Sequence, residues 1–373
     1  MPRKLRLFSF ENIYRAYLVC RKDKRNTINA LDFEVNLLQN LWTLHDELNT
    51  HSYKISRSLC FLTHSPKLRE IFAADFRDRV VHHILVKALE DFYEKKFIDT
   101  VYNNRQGKGI HKAVKKAQSY MNRTASGYFL QLDIKGFFYN LDKNILFKKL
   151  FRDIGNSSLL EKKELLYLAN KIIYHNPISN YLFKGDKSKL ALLPAHKTLF
   201  KLPKHKGLAI GNLTSQFFAN VYLSDFDNYI KRVLKVKSYI RYVDDFVLFD
   251  RSRDKLENLL EKIETYLLSR LGLLLREDIK LKNHSSGLDF LGYIIRENYV
   301  LSRKRVVNNY KYKKAKYLEA YDAQCGKMKL PDIQRFLAVQ ASFIGHVKQS
   351  NSYNLIKKVG VINESNPFDF DRV

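Results

Sequence analysis

Three aspartates stand where hard divalent cations could be shared. Two are adjacent, in Tyr242-Val243-Asp244-Asp245, and this tetrad separates the apolar runs Tyr239-Ile240 and Phe246-Val247-Leu248-Phe249. Adjacent aspartates between two strand-like runs belong in the tight turn of a β-hairpin, which displays both carboxylates at one edge of a sheet. The third, Asp133, ends another short apolar strand, Phe129-Leu130-Gln131-Leu132-Asp133. One aspartate from a strand and two from a neighbouring hairpin suit a pair of metal ions about 3.5–4 Å apart, stabilising the attacking and leaving oxygens of a phosphoryl transfer. Magnesium prefers such oxygen ligands and keeps positions for water and substrate phosphates. Asp133 and Asp244 lead this set, and Asp245 completes it.

Elements must hold these groups in place. Apolar positions Leu31, Val35, Leu38, Leu41 and Leu44 predict one helix over 30–50. A second is expected from Asp78 to Phe97, burying Val80, Val81, Ile84, Leu85 and Leu89, and a third from near Gly109 with Ala113, Val114, Ala117 and Tyr120. Cys60-Phe61-Leu62-Thr63 reads as a strand, 142–175 as helical, 176–206 as an ordered loop, and Ser215–Val233 as helical again. An amphipathic helix spans about Arg253 to Arg270, with Leu256, Leu259, Leu260, Ile263 and Leu267 on one stripe and Gly272 placed to stop it. Beyond Tyr299 the chain turns basic and helical.

At 373 residues the chain can bury a large core in two or three subdomains. Lysine and arginine number 66 against 38 aspartates and glutamates, for a formal charge of +28. Self-repulsion of that size calls for a polyanionic partner, and nucleic acid, which releases counterions when its phosphates are neutralised, is the obvious one. Cys20, Cys60 and Cys325 show no paired spacing, which argues against a disulfide framework and fits a reducing cytoplasm. The start, Met1 to Leu7, leads into no apolar leader segment, and no uncharged run approaches the roughly 18 residues of a membrane span. A soluble cytoplasmic protein is expected.

The tetrad resembles the signature of reverse transcriptases. Other segments resemble that family's blocks in the family's order: Phe76 to His83, Tyr102 to Gly109, the Asp133 strand, Gly207 to Gln216, Leu271-Gly272-Leu273, and Phe290-Leu291-Gly292-Tyr293. The match runs from about Lys54 to Gln349. The resemblance implies an α+β right-hand polymerase fold. Its parts would be amino-terminal helices and fingers over 1–126, a palm over 127–300, a basic helical thumb over 301–350 and a tail over 351–373, with nothing long enough for an RNase H domain. It implies RNA-directed DNA polymerase activity with two Mg2+ ions, Mn2+ being able to substitute, and dNTPs, template RNA and cDNA as partners.

Residue roles follow from the same resemblance. The backbone carbonyl of Ile134 would join the three aspartates as a metal ligand. Phe138, five residues after Asp133, would be the steric gate against a 2′-hydroxyl; the alternative is a plain core aromatic beside Phe137. Lys67, Arg69 and Arg105 would meet the triphosphate, the arginines as bidentate forks and the lysine as a point charge. Phe290, Leu291, Gly292 and Tyr293 resemble the primer grip. Arg303, Lys304, Arg305, Lys311, Lys313, Lys314 and Lys316, interleaved with Tyr310, Tyr312 and Tyr317, would track a duplex backbone. The lysine that many polymerases use as general acid falls nearest Asp278 or Ile279 here, which leaves Lys280 as the candidate. His82-His83 follows no metal spacing and reads as packing.

Ile210 and Gly211 stand where most of the family carries glutamine and glycine, and Ser215-Gln216 where others carry serine and proline. This form is similar to the reverse transcriptases of diversity-generating retroelements, as are Pro194 to Phe200, Gln334 to Leu337 and Gly345-His346. That resemblance implies error-prone copying of a template RNA, a small basic accessory protein, and a prokaryotic or phage-encoded origin. Anti-phage defence is the alternative role for an enzyme of this kind, and a catalytically idle RNA-binding scaffold or maturase is the non-enzymatic one.

Overall fold

The computed structural model describes residues 6–22, 24–63, 67–324 and 328–359. Met1 to Leu5, Ser65 and Pro66, Cys325 and the tail beyond residue 359 lie outside the described residues. Helices α1 (Phe10–Arg21), α2 (Ile28–Val35), α3 (Leu37–Asn49), α4 (Phe76–Glu94) and α5 (Ile110–Arg123) precede the central sheet. They are followed by α6 (Phe137–Asn140), α7 (Lys143–Gly155), α8 (Lys162–Tyr174), α9 (Leu213–Asn228), α10 (Arg253–Leu271), α11 (Lys304–Ala323), α12 (Leu330–Val347) and α13 (Tyr353–Lys358). The strands are β1 (Ser58–Thr63), β2 (Arg69–Ala73), β3 (Tyr128–Asp133), β4 (Tyr181–Lys184), β5 (Ser238–Tyr242), β6 (Asp245–Asp250), β7 (Lys280–Asn283), β8 (Leu288–Phe290), β9 (Tyr293–Ile295) and β10 (Val300–Ser302).

The central sheet has the order β5-β6-β3-β7, and the pairs within it are antiparallel. Side chains alternate across it with period two. Leu130, Leu132, Phe246 and Leu248 join the large core built with α4 and α7 to α10, and each is at most 1% exposed. Phe129, Ile240, Val247 and Phe249 face the other way, into a second core with α5 and the β8–β10 sheet. Burial of one such side chain is worth about 1.5–3 kcal/mol, so a one-residue slip of register would expose both cores. Gln131, Asp133 and Asp245 fall on the β8–β10 side, where the apolar packing gives out at the end of β3.

Most expected elements are present, with three corrections. The helix expected over 30–50 is two helices, because Asn36 leaves helical geometry at φ −119°, ψ 44°. Leu41 and Leu44 are buried, whereas Leu31, Val35 and Leu38 are 49%, 78% and 65% exposed, so the stripe does not hold along its length. The 142–175 stretch is likewise broken between α7 and α8, with Glu161 in the left-handed region. Of the tyrosines read as duplex contacts, Tyr310 is buried and stacks on Phe343 at 4.0 Å and Tyr317 packs on Phe336, while Tyr312 is exposed.

The 176–206 loop is ordered by one buried carboxylate. Glu70 on β2 accepts the Thr198 hydroxyl at 2.6 Å and the Leu199 amide, and β4 adds to β1 in parallel. His82 is buried, as a packing role requires. Among the described residues, no helix is long and apolar enough to cross a membrane.

Candidate active site

The aspartate turn is a two-residue hairpin. Tyr242 pairs with Asp245, leaving Val243 and Asp244 as the loop. Val243 has φ +60°, as the first position of a primed hairpin turn requires, yet a β-branched side chain adopts that region only under strain. The surroundings impose it. Asn103 accepts the Val243 amide at 2.9 Å, and the Arg241 guanidinium donates to the Val243 carbonyl at 2.8 Å. Arg241 in turn forms a fork onto Asp227 of α9, at 2.7 and 2.5 Å, and both side chains are 0% exposed. Tyr239 and Asn220 complete the network with hydrogen bonds to Asp227 and Arg241.

Register brings the third aspartate alongside. Asp133 is the cross-strand partner of Asp245, and the Ile134 amide donates to the Asp244 carbonyl at 3.3 Å. In extended backbone the N–H and C=O of one residue leave on the same edge, so the Ile134 carbonyl also faces the turn. Register thus sets three aspartates at the end of one sheet. Burial pushes Asp245 up to about 7 and Asp244 up to about 6, and the neighbouring carboxylates add to both shifts. Such a cluster gains from positive charge.

Three basic residues supply some of it. Arg276 donates to Asp133 Oδ2 at 2.9 Å while its amide donates to the Asp133 carbonyl at 2.8 Å. Arg69 offsets the rise at Asp244, and Lys280 offsets that at Asp245. The amide of Gln131 also donates to Asp245 Oδ1 at 3.2 Å. Among the described residues no three acidic, His or Cys side chains converge closely enough to hold one ion; Asp133 leans on Arg276 and Asp245 on Gln131. The Arg276–Asp133 pair is 45% and 35% exposed, and a bridge so open is worth only about 0–1 kcal/mol. It is no barrier to a divalent cation. The oxygen donors Asp133, Asp244, Asp245 and the Ile134 carbonyl therefore fit Mg2+ in kind.

Comparison with known proteins decides the family. The family model described as reverse transcriptase (RNA-dependent DNA polymerase) matches residues 63–295, more than half of the chain. The chain belongs to the reverse transcriptase family. Protein YkfC of Escherichia coli (strain K12) is 23% identical over 332 residues, covering 79% of this chain and 81% of that protein. Among solved structures, apo telomerase from Candida tropicalis aligns at TM-score 0.49 and 13% identity, over 82% of this chain and 59% of that one. Telomerase from Candida albicans with a TWJ fragment of telomeric RNA aligns at 0.45 and 12%, over 82% and 55%. The chain thus spans somewhat more than half the length of those telomerase chains. The architecture is the right-hand polymerase fold, and the family uses divalent metal ions such as Mg2+.

Other residues expected from the reverse transcriptase pattern are placed unevenly. Arg69, at the start of β2, is exposed and within electrostatic reach of Asp244, and Lys67 is exposed just before it. Arg105 is a correction: its side chain is 5% exposed, forks onto Glu94 and donates to the carbonyls of Ile98 and Val101. Four of its five N–H donors hold the 94–105 segment, which leaves no fork for a triphosphate. Lys280 lies opposite Gln131 in the sheet, near Asp245, and pairs loosely with Asp278 at 3.5 Å.

Phe138 is only partly buried against Phe137, and its carbonyl accepts the Leu208 amide at 2.8 Å, tying the segment after Asp133 to the Ile210 segment. Ile210 packs on the cluster of Cys60, Phe72, Tyr139 and Leu199, and its carbonyl accepts the Phe72 amide at 3.1 Å. Gly211 has φ +119°, and a Cβ there would come within 2.8 Å of Ile71 Cγ2, so only glycine lets this segment lie on β2. Gln216 is exposed on α9. Leu291 and Gly292 form the two-residue β8–β9 turn with φ +53° and +92°, and Phe290 and Tyr293 flank it, both fully buried.

Sequence reasoning missed Gln131, Asn103, Asn220, Asp227, Arg241 and Arg276. A signal existed for Arg241, a charge inside an apolar strand. Nothing local marks the rest.

Proposed function

We propose that this reverse transcriptase adds deoxynucleotides to a primer 3′ end on an RNA template by two-metal nucleotidyl transfer. The observation that carries the reading is the register that sets Asp133 against Asp245 with Asp244 in the turn beside them. Asp133, Asp244, Asp245 and the Ile134 carbonyl would hold two Mg2+ ions, or Mn2+ in their place. When bound, such ions stabilise charge on the attacking and leaving oxygens. The chain's own side chains do the positioning. Arg69 and Lys67 on the fingers side and Lys280 on the sheet would meet the anionic triphosphate, with Lys280 to serve as general acid; what supports this is the electrostatic reach of Arg69 to Asp244 and of Lys280 to Asp245. Phe138, half open beside Asp133, closes the space next to the sugar 2′ carbon. The 290–293 hairpin steadies the primer end, and the exposed Lys304, Arg305, Lys311, Lys313 and Lys316 of α11 meet the phosphates of the template–cDNA duplex.

These roles divide the chain into helices and fingers over 1–126, palm over 127–300 and thumb over 301–350. The biological reading is error-prone copying of a retroelement template RNA in a prokaryotic cytoplasm, assisted by a small basic protein. What supports it is the apolar Ile210 at a position where a hydrogen-bonding side chain would test the nascent pair.

Asp244→Asn tests the core of the proposal. It should abolish Mg2+-dependent dNTP incorporation on a primed RNA while leaving the folding transition and RNA affinity within about twofold of wild type. Polymerisation retained by that variant would remove the metal-site assignment.

A further inference from the structure

The hairpin carrying residues 290–293 is fastened on both sides. On one side Gln131 reaches across from β3. Its Nε2 donates to Asp245 Oδ1 at 3.2 Å and to the Asp289 carbonyl at 3.0 Å. An amide nitrogen has two hydrogens, so both are used, and turning the amide over would set its oxygen against two acceptors. Its Oε1 is buried without a partner, which leaves the donor end alone to hold the side chain. On the other side, the Asp289 carboxylate accepts the Arg303 guanidinium, with Nε at 2.6 Å. Arg303 caps the basic helix α11, and its amide donates to the Gly292 carbonyl at 2.9 Å. Helix α12 joins through His346, whose ring stacks on Tyr293 at 4.2 Å and whose carbonyl accepts the Tyr293 hydroxyl.

The result is a continuous relay from a catalytic carboxylate to the basic helix: Asp245, Gln131, Asp289, Arg303, α11. We propose that Gln131 is a positioning residue through which a nucleic-acid duplex held by α11 and the 290–293 hairpin sets the place of Asp245. This rests on the function proposed above. The helix carries the exposed cations that a duplex backbone would engage, and Arg303 transmits its position to Asp289. Among the described residues, Gln131 is the side chain whose amide hydrogen-bonds both the hairpin backbone and Asp245. An apolar residue there would pack equally well but leave the two uncoupled.

Hydrogen exchange on the intact chain tests this without relying on catalysis. An RNA–DNA duplex added to wild type should protect amides of the 288–295 hairpin and also those of the Tyr242–Phe246 segment. In Gln131→Met, similar in size but without donors, protection should remain at 288–295 and be lost at 242–246. Protection of both segments in the variant, or of 288–295 alone in wild type, overturns the relay. In primer extension, Gln131→Met should lower kcat by about 10–100-fold, as expected for a misplaced reacting group, with the dNTP KM within about threefold. Adding Arg303→Met should cost little more, because both act in one chain; multiplied losses would overturn the coupling. Should Asp244→Asn polymerise normally, the functional reading fails. Should only Gln131→Met behave as wild type, that reading stands and this inference falls.

Discussion

Asp227→Asn is the sharpest test of how the aspartate turn is held. The substitution keeps the shape of the side chain and removes its charge. Arg241 would then be buried at 0% exposure with no counter-charge. Breaking one partner of such a pair costs about 3–5 kcal/mol, a large share of the roughly 5–15 kcal/mol that holds a domain together. Urea unfolding followed by circular dichroism should show that loss as a lower midpoint at unchanged slope. Replacing both partners, Arg241→Met with Asp227→Leu, should recover most of the stability, since a packed apolar pair often equals a buried ion pair. It should not recover activity. Val243 at φ +60° carries strain of about 1–3 kcal/mol, and the charged hydrogen bond from Arg241 that opposes it contributes about 1.5–3 kcal/mol. Without that bond the Val243 carbonyl loses its charged donor and only its amide stays fixed, by Asn103, so Asp244 should wander and kcat should fall about 10–100-fold. A loss below about 1 kcal/mol in Asp227→Asn, or full activity in the double variant, would refute the reasoning.

Other outcomes follow from the same geometry. Phe138→Ala should admit ribonucleotides more readily with a modest loss of dNTP use; unchanged discrimination in single-turnover assays would make Phe138 only a packing residue. Ile210→Gln should change errors opposite template adenine more than opposite other bases, by about 5–30-fold if about 1–2 kcal/mol of discrimination is at stake, and equal error spectra in sequenced cDNA would exclude it. If 6–10 phosphates are contacted, RNA affinity should fall about 10³–10⁵-fold between 50 and 200 mM salt, whereas a flat dependence would assign the +28 charge elsewhere. Burial holds His82 down to about 3 and His175 down to about 4. Both accept protons in the unfolded chain near 6.5, so their stabilisation is complete above that pH and is lost as pH falls from 6.5 towards 4, by roughly 2 kcal/mol per imidazole at pH 5. Stability of His82→Leu should therefore fall less steeply over this range; an identical slope would exclude the imidazole.

The parts of the site that could be read from the chain are those set by local pattern. Asp133 ends an alternating strand, and the tetrad interrupts two apolar runs, so both strands and the turn are legible from period and punctuation. Helices α4, α5 and α10 are legible for the same reason, their buried faces repeating at helical spacing. The break at Asn36 was not, because Leu31 to Leu44 keep a helical rhythm through it; only tertiary packing shows that half of those leucines face outward. Arg105 misled for a related reason. A loop arginine looks like a phosphate ligand until its fork onto Glu94, at the end of α4, is known.

The residues that hold the aspartates in place are of another kind. Asp227 lies 14 positions before Arg241 and reaches it only because α9 packs under β5, and Gln131 meets Asp289 across 158 positions. Neither pair has a spacing that any local rule would flag. The difference has a physical origin. The three carboxylates sit at strand ends and in the turn that joins them, so their sequence context is constrained by the strands themselves. A residue that orients them needs only one correctly placed donor, which can arrive from anywhere in the fold. Arg241 is the partial exception, because a charge within a buried strand must find a counter-charge or forfeit several kcal/mol. A charged residue inside a strand that flanks a catalytic turn is therefore itself evidence that the turn is held under constraint, before its partner is known.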